Sequence, residues 1–180
     1  MHFIIYDLEA TCWRGRPPKG VQEIIEIGAC KINRYGEVLD TFSEFIRPSV
    51  NTVLSSFCKQ LTSIQQSDVD GAKHFPIVVE QFKDWIGAYD EEYIFCSWGA
   101  YDKQFLINDC RLHNLDEDWL TEFIDLKEAY HDLKNTLKHR GLKKVVHNEG
   151  FEFTGIQHRA ISDAENLSKI FVKYIDEWQY

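Results

Sequence analysis

The chain has 180 residues, 44% of them hydrophobic, with 12 phenylalanines and a formal net charge of −9; this suits one domain with a sizeable core. No stretch approaches the roughly 20 apolar residues of a membrane span, and the apolar run Phe3 to Tyr6 is too short for a signal peptide, so a cytoplasmic setting is expected. The negative charge argues against a generic nucleic-acid binder with a basic surface, and five cysteines without a CxxC pair argue against a zinc site or disulfide framework and for reduced, mostly buried thiols.

Residues 2–8 read as a short strand, apolar on both faces at Phe3, Ile4, Ile5 and Tyr6. Residues 22–33 and 38–47 read as two longer strands with a hairpin turn at Tyr35-Gly36, so the first three strands are expected to be antiparallel. Helical patterning follows. Pro76 suits a first helical position, Val78, Val79, Phe82, Trp85 and Ile86 share one face, and Gly87 ends the run. Tyr93 to Trp98 reads as a buried strand, and residues 102–113 as a helix with Phe105, Leu106 and Cys110 inward. Glu122 to Leu126 reads as a short strand running into a helix, and Gly141 to Asn148 as a short helix closed by Gly150. Ser162 and Glu165 have the spacing of a capping box with Asp163 in the first turn. Leu167, Ile170, Phe171, Tyr174, Ile175 and Trp178 then form an apolar stripe. Strands first and strand–helix alternation later predict an α/β sandwich around a mixed sheet, spanning 1–180 as one domain.

Asp7 and Glu9 are two apart on the first strand, so their side chains leave the same face. Two carboxylates at the end of a buried strand repel each other and are costly to desolvate unpartnered; a divalent cation removes both problems. Asp102 follows the strand ending at Trp98 and taken alone fits a helix N-cap. His158 and Asp163 are five apart, a loop histidine before a helix start. An imidazole with an unperturbed pKa of about 6.5 can take a proton from water near neutrality. Four acids and one histidine in this order point to phosphodiester hydrolysis with two cations roughly 3.5–4 Å apart. Mg²⁺ or Mn²⁺ suits an all-carboxylate donor set better than zinc does. Arg14, Arg16 and Lys19, and separately Lys134, Lys138, His139, Arg140, Lys143 and Lys144, concentrate positive charge where phosphates could be held.

The segments YDLEATCW (6–13), SWGAYD (97–102) and HRAISDAENL (158–167) resemble the three motifs of the DEDD exonucleases. Where the sister branch has a tyrosine four residues before the last Asp, this chain has Arg159, so the His-containing branch is the match. EATCW, RPSVNTVLSSFCKQLTSI (47–64) and HFPIVVEQFKDWI (74–86) are similar to the Eri-type and KapD-like exonucleases, a similarity covering residues 3 to 175. The resemblance implies an RNase H-like fold with a five-stranded mixed sheet flanked by α-helices. It implies 3′→5′ removal of nucleotides from nucleic-acid 3′ ends, RNA favoured, as nucleoside 5′-monophosphates. By position, Asp7 would bridge two metals and Glu9 and Asp163 would complete the site holding the nucleophilic water. Asp102 would bind the second metal and His158 would be the general base. Ala10 and Thr11 would meet the terminal nucleotide through their backbone, with Phe57 and Trp98 flanking its base or sugar. One departure stands out: relatives have L-T-G-I where this chain has Leu61-Thr62-Ser63-Ile64, which bears on the backbone path beside that nucleotide. The resemblance carries two alternatives. One is a DNA-directed member of the family, since the motifs read phosphates and metals rather than the 2′-OH. The other is a KapD-like regulator of entry into sporulation acting through a protein partner.

Overall fold

Strand β1 (His2–Ala10) sends alternate side chains into two cores. Phe3 and Ile5 join Cys30, Ile32, Leu167, Ile170 and Phe171 on one side; Ile4, Tyr6 and Leu8 join Ile27, Val78, Phe82 and Phe95 on the other. This double burial is why β1 is apolar on both faces. Asp7 and Glu9 prolong the Phe3–Ile5 face past the point where the apolar residues stop.

A computed structural model describes residues 1–120 and 122–179. Strand β2 (Ile24–Asn33) lies antiparallel to β1, and β3 (Val38–Arg47) antiparallel to β2, as the hairpin signal predicted. Beyond β1 the sheet turns parallel with β5 (Tyr93–Ser97) and β6 (Phe123–Asp125). With β4 (Lys73–His74) at one edge, the order is β4-β3-β2-β1-β5-β6, six strands among the described residues rather than the expected five. The additional strand is β4, only Lys73–His74, which pairs parallel with β3 at Ile46 and Arg47. Two residues are too few to show an alternating pattern, so no sequence signal marks it.

Helices α3 (Phe75–Ile86) and α4 (Tyr101–Leu112) cover one face of the sheet. Helices α5 (Leu126–Leu133), α6 (Leu142–Asn148) and α7 (Ala160–Lys173) cover the other. Tyr174, Ile175 and Trp178 of the expected apolar stripe lie past the end of α7, yet Trp178 is still buried and its indole N–H donates to Phe171 O at 2.8 Å. Four cysteines are buried, Cys12 is half-buried, and none is in a disulfide.

Two short helices, α1 (Ser56–Thr62) and α2 (Gln66–Asp70), were not legible from periodicity because each is too short to repeat an apolar face. Helix α1 is capped by the Ser55 hydroxyl, which accepts from Cys58 N at 2.9 Å. It ends at Ser63 with φ 63°, the left-handed conformation that a helix C-terminus gives most readily to glycine. The Gly-to-Ser departure therefore keeps a glycine-like backbone path, at the steric cost of a Cβ in that region. Ser63→Gly is expected to stabilise the fold by about 1 kcal/mol, read as a melting temperature raised by roughly 2–4 °C. An unchanged or lower melting temperature would count against strain at this cap.

Candidate active site

The carboxyl ends of the parallel strands β1 and β5 meet the start of α7, the usual place for a site in a sheet of this kind. Two features of β2 bring α7 there. In the β1–β2 register Asp7 lies opposite Gly28 and Glu9 opposite Glu26. A Cβ on Gly28 would sit 2.1 Å from Ile161 N and 2.2 Å from Ala160 C, so the backbone of α7 rests directly on this glycine. Beside it the buried Glu26 accepts from Ala160 N at 2.9 Å and from the Arg159 guanidinium at 2.8 Å.

This contact corrects the expected capping box. The helix begins at Ala160, with Arg159 in the N-cap position and no side-chain cap of its own. Ser162 lies inside the first turn, and its hydroxyl accepts instead from Ile156 N at 3.2 Å. A carboxylate from a strand 134 residues away does the capping, and no local spacing can announce that. The signal that was present is a lone glutamate inside the buried run Ile24-Ile25-Glu26-Ile27, which has to find a partner.

Asp163 stands in the first turn of α7 and is buried. It accepts from the backbone N–H of His158 at 2.7 Å, which folds the preceding loop back on the helix and holds His158 at φ 61°. Glu9, His158 and Asp163 thereby place ligand atoms within 4.8 Å of one another, a group able to hold a metal ion. Asp7, Glu9, His158 and Asp163 line a cleft of about 290 Å³ together with Trp98, Lys143 and Gln157. A wider groove of about 770 Å³ between Phe123 and Trp178 gathers no such donor set among the described residues.

Asp102 lies in the first turn of α4 but does not cap it; Ala100 holds that position without a side-chain bond. Ser97 and the backbone N–H of Leu8 favour the charged Asp102 carboxylate, whose charge acts on Asp7. Trp98 is half-buried, with its indole N–H donating to Arg140 O at 3.2 Å and its ring against Tyr130 and His131. It is thus both packed and a wall of the cleft. Phe57 is half-buried on α1 under the Arg14 guanidinium at 5.8 Å. The Thr11 hydroxyl accepts from Glu23 N at 2.9 Å and the Thr11 N–H donates to Glu23 O at 2.8 Å, while the Thr11 carbonyl accepts from the Gln22 side-chain amide at 2.9 Å and keeps a second lone pair. The Ala10 carbonyl accepts from the Cys58 thiol at 3.7 Å.

The electrostatics follow from crowding acids where water is scarce. Burial pushes the Asp7 carboxyl well above the usual range, and the charges of Asp102, Glu9 and Asp163 push it further. Glu9 is raised to about 9 by burial and by Asp163 and Glu26. Burial raises Asp102 to about 7 and Asp163 to about 6; Ser97 and Leu8 N–H oppose the first shift, and the His158 N–H opposes the second. Four carboxyls that cannot all ionise together near neutrality fit hard divalent cations, which supply the missing positive charge to oxygen donors.

A stability prediction follows. Without cations the folded Glu9 keeps its proton from about pH 4.5 to about 9 while the unfolded chain has lost it, so stability falls as pH rises through that window. The EDTA-treated protein is expected to melt several degrees lower at pH 9 than at pH 5, and saturating Mn²⁺ to remove most of the difference. A pH-independent melting temperature without cations would sink this account.

An RNase H-like α/β fold with four acids and a histidine converging at its central strand ends is that of the DEDDh nucleases. The family described as Exonuclease (RNase T) matches residues 4–171. The chain belongs to this family, in its DEDDh, Eri-type branch. It is 32% identical to 3′-5′ exoribonuclease 1 of Homo sapiens over 184 residues, covering 98% of this chain and 53% of that protein. It is 29% identical to 3′-5′ exonuclease eri1 of Schizosaccharomyces pombe over 210 residues, covering 98% and 68%. The solved nuclease domain of 3′hExo, a DEDDh family member bound to rAMP, superposes with a TM-score of 0.90 at 31% identity, covering 98% and 92%. The chain thus spans about half the length of the mammalian exoribonucleases it matches.

Proposed function

We propose that this chain is a 3′→5′ exonuclease that removes nucleotides from RNA 3′ ends as nucleoside 5′-monophosphates, residues 1–180 acting as one catalytic domain. The observation that carries the reading is the convergence of Glu9, His158 and Asp163 within 4.8 Å in a cleft shared with Asp7. The human relative's description as an exoribonuclease and the rAMP bound to 3′hExo support RNA as substrate. A reducing, cytoplasmic setting is part of the reading, supported by five unpaired cysteines.

Asp7, Glu9, Asp102 and Asp163 are the residues that would hold two divalent cations, Mg²⁺ or Mn²⁺. Bound there, such ions supply Lewis-acid stabilisation of the developing charge and lower the pKa of an attacking water. Asp7 would take the shared position, being the acid on which the charges of Asp102, Glu9 and Asp163 all act. The His158 imidazole accepts the proton of the attacking water, from a loop clamped to Asp163. Ala10 and Thr11 meet the terminal nucleotide through their backbone, and Phe57 and Trp98 flank its base or sugar.

Digestion of matched 5′-labelled single-stranded RNA and DNA with Mg²⁺, Mn²⁺ or EDTA tests the reading. A metal-dependent RNA ladder shortening from the 3′ end is expected. Preference for DNA would reassign the substrate, and no cleavage with any cation would overturn the activity. His158→Ala is expected to slow turnover by about 10²–10⁴-fold while retaining the stabilisation by Mn²⁺. Loss of that stabilisation would make His158 a metal ligand rather than the base.

A further inference from the structure

The basic cluster from Lys134 to Lys144 is not one surface. Lys134 is spent on Glu149 at 3.3 Å and on the Tyr174 hydroxyl at 2.6 Å. Lys143 and Lys144, at the start of α6, form no ion pair among the described residues. Both are exposed, and His147 follows on the same helix face, one turn on. With the half-buried ring of Phe153 they line a groove of about 590 Å³ in which Glu152 is the one acid. Lys143 Nζ lies 5.7 Å above the Phe153 ring. In a chain of net charge −9, this is a local reversal of sign.

The groove is continuous with the candidate active site: Gly141, Lys143 and Gln157 line both cavities. If the terminal nucleotide lies toward Ala10 and Phe57, the strand on the other side of the scissile phosphate leaves past Lys143 and Gln157. Cations for phosphates beside an aromatic face for a base are what sequence-independent binding of single-stranded nucleic acid requires.

Building on the exonuclease reading, we propose that Lys144, His147 and Phe153 form a subsite for the nucleotides 5′ of the scissile phosphate, stacking one base on Phe153 and holding its phosphates on the α6 cations. The enzyme then favours single-stranded ends several nucleotides long over dinucleotides, with little preference for base.

The test compares kcat/KM on 5′-labelled oligoadenylates of seven and two nucleotides, for the wild type, Lys144→Glu and Phe153→Leu. Lys144 is exposed, so its variant keeps the fold, and Phe153→Leu retains an apolar group without the ring. The heptamer-to-dinucleotide ratio is expected to fall about tenfold in each variant. The wild-type heptamer rate is expected to fall more steeply with salt than the dinucleotide rate. A ratio within twofold of wild type in both variants overturns the subsite while the exonuclease stands, and leaves the groove to a different kind of partner. A wild type that degrades neither oligomer overturns the exonuclease reading and the subsite with it.

Discussion

Asp7→Asn is expected to abolish measurable exonuclease turnover while raising the thermal stability of the cation-free protein. Both effects have one origin. Asp7 is pushed by burial and by four neighbouring carboxylates, so its negative charge is costly to the fold and would be useful only when cations occupy the cleft. Replacing it with a neutral isostere removes the repulsion and the shared ligand together. The loss of several kcal/mol of transition-state charge stabilisation corresponds to about 10³-fold or more in rate. Melting curves at pH 8 with EDTA should show the variant above wild type, and with Mn²⁺ the order should reverse. A variant that loses both activity and cation-free stability would instead mark Asp7 as a packing residue, and one with wild-type activity would refute its metal role.

Gly28→Ala carries the second large expected effect, although Gly28 is no part of the chemistry. Its added Cβ would meet the backbone of Ala160 and Ile161 at 2.1–2.5 Å, and no side chain can swing aside to relieve the clash. The first turn of α7 has to lift from β2, at a cost of about 3 kcal/mol, or roughly 6–12 °C in melting temperature. That movement carries Asp163 and the clamped His158 away from Asp7 and Glu9. A displacement of about 1 Å is enough to cost roughly 10²-fold in rate. Differential scanning calorimetry together with single-turnover hydrolysis would check both parts. Unchanged melting and rate would mean that α7 does not rest on β2 at this point.

Much of the molecule was legible because it repeats or alternates. Helix α3 between Pro76 and Gly87 writes its period into the sequence, and the antiparallel β1–β2–β3 start and the buried β5 show as strand-length runs bounded by turn signals. The spacing of Asp7 and Glu9 likewise gave their shared face, because strand geometry is local. Legibility failed where a structural role is set from a distance. Helices α1 and α2 and strand β4 are too short to show a period. Ser162 and Glu165 had a local capping pattern, but the start of α7 was decided by Glu26 on another strand.

The sequence by itself singled out the residues to which the proposed chemistry is assigned: acids two apart on a strand, an Asp after the next buried strand, and a His–Asp pair at the last helix. It did so because the nature of a side chain and its spacing along one element are properties of the chain alone. The tertiary structure decided that these residues meet. Gly28 admits the backbone of α7, Glu26 caps it, and the Asp163–His158 N–H bond turns the loop inward. It also divided the basic cluster into Lys134, tied to Glu149, and Lys143 and Lys144 beside the cleft, which form no ion pair among the described residues. Those outcomes depend on close approach between segments far apart in sequence, where steric fit and charge pairing act only after the sheet has assembled.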